Sequence, residues 1–509
     1  MLKTVYSAGL NGVEGFPVTV ECNCTGRMAR FEVVGLPDLA VKEAKERIRA
    51  VTENCGFEFP DAEITVNLAP ADRKKQGSSY DLAMFIGILG SSGLKNFGDT
   101  DDCCFIGELS LSGEVRPVNG VLCMCLSAVK DGKKRIFVPK ANAGEASVTS
   151  GAEIYGVSNV DELIGFFCGG RKLEPVSFDS ALFENEVRHG TLDFSDVKGQ
   201  QRAKRALEIA AAGGHNVLLI GPPGTGKSML AKRLPTIMPP LTFDEAIETT
   251  KLHSVAGILP EGVSLVTSRP FRSPHHTLSP VALAGGGTYP QPGEISLAHN
   301  GVLFLDELPE FSKTATEVLR QPLEDRRVTI TRASGRITFP CAFMLVAAMN
   351  PCRCGYYGTE RCTCKADDIR AYMRRISGPL LDRIDIQVEV GQLSFDELSD
   401  RSKTETSEEI RERVEKAREI AVRRFSSEPD PIHSNSEMTP GQIRRFCRLD
   451  DNGSRILRGA FDSMGLSARG HDRILRVART VADLDGQELI GAKHVAEAIQ
   501  LRSLDRKYF

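Results

Sequence analysis

An apolar run leads directly into a glycine-rich loop near the middle of the 509-residue chain. The run is NVLLI at 216–220, the loop is GPPGTGKS at 221–228, and MLAKRL follows with helical spacing. This is the pattern G-x-x-x-x-G-K-S between a strand and a helix, in which backbone N–H groups cradle phosphate oxygens at a helix N-terminus. We expect Lys227 to reach the β and γ phosphates of a nucleoside triphosphate and Ser228 to hold Mg²⁺. The predicted cradle comprises Gly221, Pro222, Pro223, Gly224, Thr225, Gly226, Lys227 and Ser228.

Two further apolar runs end in polar residues that suit the same chemistry. GVLFLDEL at 301–308 indicates a buried strand that delivers Asp306 and Glu307 to the carboxyl edge of a sheet, where α/β folds bind ligands. Asp306 would bind Mg²⁺ or its water, and Glu307 would polarise the attacking water. A strand that is merely capped by these acids is the alternative. FMLVAAM ends in Asn350, whose amide would either orient that water or occupy a turn before Pro351.

The longer stretches around these motifs resemble the YifB/ComM family of magnesium-chelatase-like AAA+ ATPases. They read DVKGQQRAKRALEIAAAGGHNVLLIGPPGTGKS, RPFRSPHHTLSPVALAGGGTYPQPGEISLAHNGVLFLDELPEF, VAAMNPCRCG and ISGPLLDRIDI. The resemblance implies ATP and Mg²⁺ as cofactors. It also implies a ring of identical subunits, usually a hexamer, with ATP at the subunit interfaces. Asn350 matches the sensor 1 position of the family.

Two arginines match the family's nucleotide-sensing positions. Arg383, in LLDRID, matches the trans-acting arginine finger, which stabilises charge on a phosphoryl group bound to the neighbouring subunit. A salt bridge of Arg383 with an adjacent aspartate, Asp382 or Asp385, is the alternative. Arg469 best matches the sensor 2 arginine and is therefore assigned to nucleotide binding. Arg473 and Arg476 would share its helical face, so which of the three touches nucleotide stays open.

A basic hairpin is predicted at 327–339, where RVTITRASGRITF alternates on both sides of a Ser334-Gly335 turn. Arg332 and Arg336 flank its tip. In related helicase-loader and replicative-helicase branches of AAA+, a hairpin before sensor 1 points into the pore and grips DNA. The resemblance therefore implies phosphate contacts without sequence reading, although a surface hairpin with solubilising arginines fits the pattern too. GGGTYPQP at 285–292 is similar to the tip of a second pore-facing insert.

Four cysteines follow the sensor position closely in the pattern C-x-C-x₇-C-x-C. Four thiolates within so short a segment can close a tetrahedral Zn²⁺ site, and unligated thiols are the alternative. The other paired cysteines lack compact partners and are expected in strands or helices as small apolar residues. The predicted zinc ligands are Cys352, Cys354, Cys362 and Cys364.

The N-terminal region resembles the Lon protease fold, an S5-type α+β domain. The similar segments are KKQGSSYDLAMFIGILGSSG and GELSLSGEVRPVNGVLCMCLSAVKDGKKRIFVPKAN. Active Lon-type peptidases pair a serine from the first segment with a lysine from the second, and these positions hold Ser79 and Leu122 here. Because leucine cannot accept the hydroxyl proton, we expect no proteolysis and interpret Ser79 as a helix N-cap.

The predicted fold class is α/β, with an AAA+ P-loop core, a Lon-protease-like N-terminal domain and an all-helical C-terminal lid. Hydrophobic residues make up 41% and charged residues 26%, which is ordinary globular usage and permits large buried cores. The net charge of −3 excludes a polycation that coats DNA and leaves only local basic patches. The predicted regions are the Lon-like domain at 1–168, a linker at 169–190, the core at 191–395, and a charged helix with the lid at 396–509.

The absence of a long apolar run predicts no membrane span, and the start MLKTVYSAGLNG carries no evident signal peptide. Fourteen cysteines without a secretion signal favour a reducing compartment, so the cytoplasm is expected.

The function expected from the resemblance is an ATP-driven ring motor on DNA, a helicase or branch-migration translocase in recombination or natural transformation. Its partners would be DNA and identical subunits, with no membrane and no porphyrin. One alternative is a magnesium-chelatase motor subunit that drives Mg²⁺ insertion into a porphyrin, although that subunit lacks both the Lon-like domain and the four-cysteine loop. The other is an ATP-dependent peptidase or unfoldase, against which Leu122 counts.

Overall fold

The structure is a computed structural model that describes most of the chain. Part of the predicted linker, 180–190, and Ser334 of the predicted hairpin turn lie outside the described residues. Among the described residues, every helix falls short of the length or apolar character needed to cross a bilayer. The described residues are 1–26, 30–179, 192–332, 335–399, 404–429, 432–502, Leu504 and Tyr508.

A four-stranded sheet opens the chain because its strands alternate apolar and polar residues. The second strand, for example, buries Phe16, Val18 and Val20 on one face. Its strands are β1 (Leu2–Asn11), β2 (Glu14–Thr25), β3 (Arg30–Val34) and β4 (Glu63–Ala69), in the order β1-β2-β4-β3 with only β3 and β4 parallel. Helix α1 (Leu39–Asn54) crosses between β3 and β4, and the Asp38 side chain caps it by accepting the Val41 N–H.

The rest of the N-terminal region adds a small parallel sheet, β5-β8-β9, and a short hairpin, β6-β7. Of its three cysteine pairs, which were predicted to be small apolar residues of strands or helices, all members are buried except Cys24, which is partly buried. The elements are α2 (Asp81–Ser91), β5 (Cys103–Phe105), β6 (Glu108–Leu109), β7 (Val115–Arg116), α3 (Val121–Lys130), β8 (Arg135–Pro139), α4 (Ala143–Ser147), β9 (Glu153–Val157) and α5 (Val160–Phe167).

The interpretation of Ser79 as a helix N-cap is wrong. Helix α2 begins at Asp81 with Tyr80 at the cap position and no side-chain cap bond, and the Ser79 carbonyl instead accepts the Gly107 N–H at 2.9 Å. Within the described residues, no lysine donates a hydrogen bond to the Ser79 hydroxyl. Leu122 is fully buried on α3, in an apolar cluster with Leu241 and neighbouring residues of the next region.

A five-stranded parallel sheet forms the centre of the molecule, in the order β11-β14-β17-β10-β18. Its inner strands are unbroken apolar runs, as expected for a sheet covered on both faces. Its strands are β10 (Val217–Ile220), β11 (Phe271–Arg272), β14 (Val302–Leu305), β17 (Met344–Met349) and β18 (Ile386–Glu389). Two hairpins project from this region, β12 (Gly285–Gly286) with β13 (Gln291–Pro292), and β15 (Arg327–Arg332) with β16 (Gly335–Pro340).

Helices surround the central sheet and continue to the end of the described chain. In the central region they are α6 (Gln201–Gly213), α7 (Lys227–Ile237), α8 (Phe243–Val255), α9 (Pro280–Ala284), α10 (Glu294–Leu297), α11 (Lys313–Val318), α12 (Arg320–Asp325), α13 (Ala366–Met373) and α14 (Gly378–Leu381). They continue as α15 (Phe395–Ser399), α16 (Ser407–Phe425), α17 (Pro440–Phe446), α18 (Asp451–Met464), α19 (Ala468–Leu484) and α20 (Ala492–Gln500).

One of these last helices differs from what its sequence suggests. The many charges of α16 predict a largely solvated helix. In the structure, however, one face of α16 is buried in the same core cluster as α6, α7 and α19; this face consists of Ile410, Val414, Ala417, Ala421 and Phe425. Its charges obscured that face, whose residues recur at helical spacing. The region boundaries near 168, 191 and 395 stay predictions.

Candidate functional site

The predicted phosphate cradle joins the carboxyl end of β10 to the start of α7. Gly224 and Gly226 have φ values of +78° and +88°, a backbone conformation that side chains with a Cβ rarely adopt. The loop lines a cavity of about 400 Å³ that is also lined by Asp306, Glu307 and Asn350. Strand order explains this meeting, because β17 lies between β10 and β14 and the three parallel strands end at the same edge of the sheet.

The Lys227 side chain is buried at this cavity, and its ammonium donates to three oxygen atoms. It donates to the carbonyls of Gly221 at 2.7 Å and Pro222 at 2.9 Å, and to Oδ1 of Asn350 at 3.2 Å. Burial lowers the pKa of Lys227, and the nearby carboxylates of Asp306 and Glu307 oppose that shift. An arriving phosphate would supply the missing negative charge and hold the ammonium protonated.

Two oxygen ligands of the kind Mg²⁺ prefers are already together. The Ser228 hydroxyl donates to Oδ2 of Asp306 at 2.7 Å, at the mouth of the same cavity. A hydroxyl and a carboxylate from the loop and the neighbouring strand fit the two protein ligands that Mg²⁺ usually takes beside phosphate oxygens and water. The donor set therefore fits the ion.

Glu307 is held in an unusual backbone conformation at the end of β14. Its φ is +53°, its N–H donates to Oδ1 of Asp306 at 3.0 Å, and its carboxylate is more than half exposed. Nδ1 of His276 lies 3.4 Å from Oε2 of Glu307. Strained non-glycine residues of this kind concentrate at functional sites, and here the strain turns the carboxylate into the cavity mouth.

Arg383 and Arg469 lie elsewhere, around a second cavity of about 550 Å³. Among the described residues, none lines both cavities. The second cavity includes Asn216, which directly precedes β10, and Asp385, which directly precedes β18. It therefore lies at the amino edge of the sheet, whereas the phosphate cradle lies at the carboxyl edge.

The position of Arg469 corrects one expectation. It does not join the phosphate cradle of its own chain, because α19 packs on α6 and α16 rather than over the loop. The helix does extend back to Ala468, so Arg469, Arg473 and Arg476 share a face and all line the second cavity. Arg469 is exposed and makes no ion pair with any described carboxylate.

The alternative partner considered for Arg383 is also wrong. Its guanidinium donates to the carbonyls of Arg320 at 3.1 Å and Pro379 at 2.6 Å and pairs with Glu324. Asp382 and Asp385 instead face Arg473, each at 3.8 Å. Arg383 is thus held at the cavity wall by groups on α12 and α14.

Arg332 and Arg336 lie at the tip of the β15–β16 hairpin, as predicted. The register pairs Arg332 with Gly335 and Thr331 with Arg336. Both arginines are exposed, and neither forms an ion pair with a carboxylate of the described chain. By contrast, exposed arginines such as Arg49 and Arg370 pair with acids on their own helices.

The four cysteines after the sensor position converge. Their sulfur atoms all lie within 4.8 Å of one another, with 3.3 Å between Cys352 and Cys354 and 3.9 and 3.8 Å from these two to Cys362. Tetrahedral zinc with Zn–S bonds of about 2.3 Å places sulfur atoms about 3.8 Å apart. Backbone N–H groups lower the pKa of Cys354 to about 6, which favours the thiolate that a metal needs. The cluster, completed by Cys364, fits Zn²⁺.

Comparisons with known proteins agree with this architecture. The family model described as "Magnesium chelatase, subunit ChlI" matches residues 193–426, "Subunit ChlI of Mg-chelatase" matches 20–142, and "Magnesium chelatase, subunit ChlI C-terminal" matches 404–502. Competence protein ComM of Haemophilus influenzae is 44% identical over 99% of this chain and 98% of its own length. The chain belongs to the YifB/ComM family of magnesium-chelatase-like proteins.

Two further relatives are informative. Protein YifB of Escherichia coli is 40% identical over 99% of this chain and 98% of its own length. Lon protease 2 of Bacillus subtilis is 28% identical, over only 32% of this chain and 30% of its own length. Membership of this AAA+ family implies ATPase activity with ATP and Mg²⁺, in proteins that typically oligomerise.

Sequence reasoning on the family motifs missed some neighbours of the site. His276 contacts Glu307 across 31 positions of sequence, and no spacing rule connects them. Glu324, which holds Arg383, was missed for the same reason. Gly355 could have been noted as a glycine beside the cysteines; a methyl group added to it would meet Cδ of Pro223 at 2.7 Å. The cysteine loop therefore rests directly on the phosphate cradle.

Proposed function

We propose that this chain is an ATP-hydrolysing ring motor that moves DNA, a helicase or branch-migration translocase that serves recombination or natural transformation. The observation that carries the proposal is that the phosphate cradle and the predicted arginine finger lie at opposite edges of one sheet. Lys227, Ser228 and Asp306 surround a cavity at the carboxyl edge, and Arg383 lies at the amino edge. Such a chain completes its ATP site only with a second copy, which is the principle of a ring motor.

In this proposal the residues of the cradle bind and orient ATP. Backbone N–H groups of the loop and the Lys227 ammonium bind the β and γ phosphates, and the lysine exchanges its carbonyl partners for phosphate oxygens. Ser228 and Asp306 hold Mg²⁺, which neutralises phosphate charge. Glu307 accepts a proton from the attacking water, and Asn350 orients that water against the γ-phosphate.

The second cavity serves the neighbouring subunit. Arg383 stabilises the charge that develops on the neighbour's γ-phosphoryl group during transfer. Arg469, exposed and unpaired, contacts the same nucleotide from α19. Head-to-tail contacts of this kind form a closed ring when the rotation from one subunit to the next is a whole fraction of a full turn. We propose that the ring is a hexamer, as in related proteins.

The pore hairpins bind DNA in this proposal. Arg332 and Arg336 carry charges that no described carboxylate of the chain neutralises, and phosphates would do so with release of counterions. One relative is named a competence protein, and this name suggests that the proposed motor acts in DNA uptake. A motor for DNA works where DNA and ATP are found, so a cytoplasmic location is part of the proposal.

The cysteine cluster holds a structural Zn²⁺ in this proposal. The sulfur geometry and the acidic Cys354 support it. The site would brace the loop that follows Asn350 and that contacts Pro223.

A magnesium-chelatase motor subunit is the second candidate, and the three chelatase family models are the observation that favours it. A peptidase is disfavoured, because the base position of the dyad is the buried Leu122.

The decisive experiment measures ATP hydrolysis with and without branched DNA. We expect branched DNA to stimulate the wild-type rate and the Arg332→Ala, Arg336→Ala double variant to lose that stimulation. The slope of log affinity against log salt should fall by about two units, one for each phosphate contact. An Arg49→Ala, Arg370→Ala double variant removes the same charge from carboxylate-paired positions and should behave as wild type. Stimulation by porphyrin and partner subunits but not by DNA would overturn the proposal in favour of the chelatase.

A further inference from the structure

The tip of the second hairpin carries an exposed tyrosine beside a lysine of the N-terminal region. Tyr289 lies in the turn between β12 and β13, and its side chain is 38% exposed. Nζ of Lys74 lies 5.2 Å from the centre of its ring. The two residues are more than two hundred positions apart in sequence, so the fold creates this pairing.

The same surface brings in both predicted pore segments. A methyl group added to Gly286 would lie 3.2 Å from Nη2 of Arg332, and one added to Gly285 would lie 2.9 Å from Cδ1 of Ile330. The two hairpins therefore pack side by side. A methyl group on Gly12, in the turn between β1 and β2, would meet Cγ2 of Ile337 at 2.6 Å, so the N-terminal region packs against the β15–β16 hairpin as well.

The charges of this surface are positive and unpaired. Arg73 and Lys74 are exposed, as are Arg332 and Arg336, and none of the four forms an ion pair with a carboxylate among the described residues. Arg73 instead lies over the Phe16 ring, 5.2 Å from its centre. Asp72 of the same segment offsets one of these charges, which leaves a surplus of positive charge around an exposed aromatic ring.

We propose that this surface binds single-stranded DNA, with Tyr289 stacking on a base and the N-terminal region contributing phosphate contacts through Arg73 and Lys74. We call it the Tyr289 surface and define it by Arg73, Lys74, Tyr289, Arg332 and Arg336. The proposal rests on the proposed DNA function and adds to it a base-stacking residue and a role for the N-terminal region. An exposed ring among unpaired cations is the combination that binds single strands without reading their sequence.

A single strand is favoured over a duplex for a geometric reason. Bases of a duplex are stacked on one another, so a ring at a hairpin tip reaches a base face only where the strands have separated. A duplex would use the cations alone. The Lys74 ammonium lies 5.2 Å from the centre of the Tyr289 ring. In this proposal the ammonium binds a phosphate of the same strand whose base stacks on the ring.

The experiment uses the full chain with Mg²⁺ and a non-hydrolysable ATP analogue, and measures fluorescence anisotropy with a labelled oligo-dT and a blunt duplex of equal length. Tyr289→Ala should weaken oligo-dT binding about tenfold and leave duplex binding unchanged, whereas Tyr289→Phe should bind as wild type. Phe395→Ala removes an exposed aromatic from α15, which contributes no residue to the Tyr289 surface, and should have no effect. A thermal melt of each variant checks the fold.

The charge contribution of the N-terminal region is tested separately. Lys74→Ala should lower the salt slope for oligo-dT by about 0.7, and Lys45→Ala, which removes a lysine paired with Glu46 in the same region, should not. Equal oligo-dT affinity of Tyr289→Ala and wild type would overturn the assignment of this surface while the DNA function stands. A wild-type chain that binds neither DNA would overturn both.

Discussion

Removing the guanidinium at position 383 tests whether one subunit completes the ATP site of the next. Arg383 borders the cavity at the amino edge of the sheet, and Lys227 lies at the carboxyl edge. The four residues of β10 span about 13 Å of strand between these edges. A guanidinium held by Glu324 and two carbonyls does not reach the cavity that Lys227 lines in its own chain, so under the proposed mechanism its catalytic partner would belong to a neighbour.

The expected loss is large in turnover and small in stability. An arginine finger contributes about 10³- to 10⁵-fold to phosphoryl transfer, or roughly 4–7 kcal/mol of transition-state stabilisation. The pair with Glu324 involves a half-exposed carboxylate and contributes only about 0–1 kcal/mol to folding. Arg383→Ala should therefore lower kcat at least about a thousandfold, with ATP binding retained and a nearly unchanged melting temperature. Arg383→Lys should recover little, because an ammonium lacks the planar fork.

Mixing variants separates action within a chain from action between chains. Arg383→Ala and Lys227→Ala should each be inactive alone, and mixed rings should recover about a quarter of the wild-type sites, those with an intact lysine facing an intact arginine. A chain that carries both substitutions should stay inactive, because no site in it can be complete. Normal turnover of Arg383→Ala, no recovery on mixing, or a strictly monomeric protein with nucleotide bound would refute the reasoning.

Two further predictions concern the cysteine cluster and the N-terminal region. Elemental analysis of the purified protein should find about one zinc per chain. Cys354→Ser should lose the zinc, whereas the control Cys168→Ser, which changes an exposed thiol outside the cluster, should keep it. A wild-type protein without zinc would exclude the site. Arg47→Ala should destabilise the N-terminal region by about 3–5 kcal/mol, because it leaves the buried Asp81 carboxylate without its ion-pair partner. Burial raises the pKa of Asp81 to about 6 despite Arg47, so Asp81 is mostly protonated at pH 5 and mostly ionised at pH 8. The stability lost in Arg47→Ala, measured by thermal unfolding, should therefore be smaller at pH 5 than at pH 8. An equal loss of stability at both pH values would contradict this account.

Local patterns predicted the parts of the site that follow strand edges. Three parallel strands ending in Gly221, Asp306 and Asn350 must bring these residues to one edge, whatever surrounds the sheet. The cysteines could likewise be predicted as a cluster because they share thirteen positions of sequence. In both cases the short-range geometry of the backbone already limits where the side chains can lie.

Long-range packing decided what the sequence could not predict. Arg469 shares a helix with Arg473 and Arg476, as its spacing implied. The apolar contacts of α16 and α19 decide at which edge of the sheet that helix lies, and the many charges of these two helices conceal those contacts in the sequence. The contact of Lys74 with Tyr289 depends on how the N-terminal region sits against two hairpins. No periodicity within either segment encodes that placement.

The chain order around the β15–β16 hairpin links its position to both halves of the ATP site. The hairpin is preceded by α12, whose Arg320 and Glu324 hold Arg383, and is followed by β17, which ends at Asn350 beside Lys227. In the proposed motor, Arg383 would leave Glu324 for a neighbour's phosphate, so α12 would lose its anchor at one end of the hairpin, and nucleotide loss would free Asn350 at the other. We infer that hydrolysis moves the hairpin through these two attachments. Arg383→Ala should then change DNA affinity even with a non-hydrolysable nucleotide bound, an effect that a purely catalytic arginine would not produce.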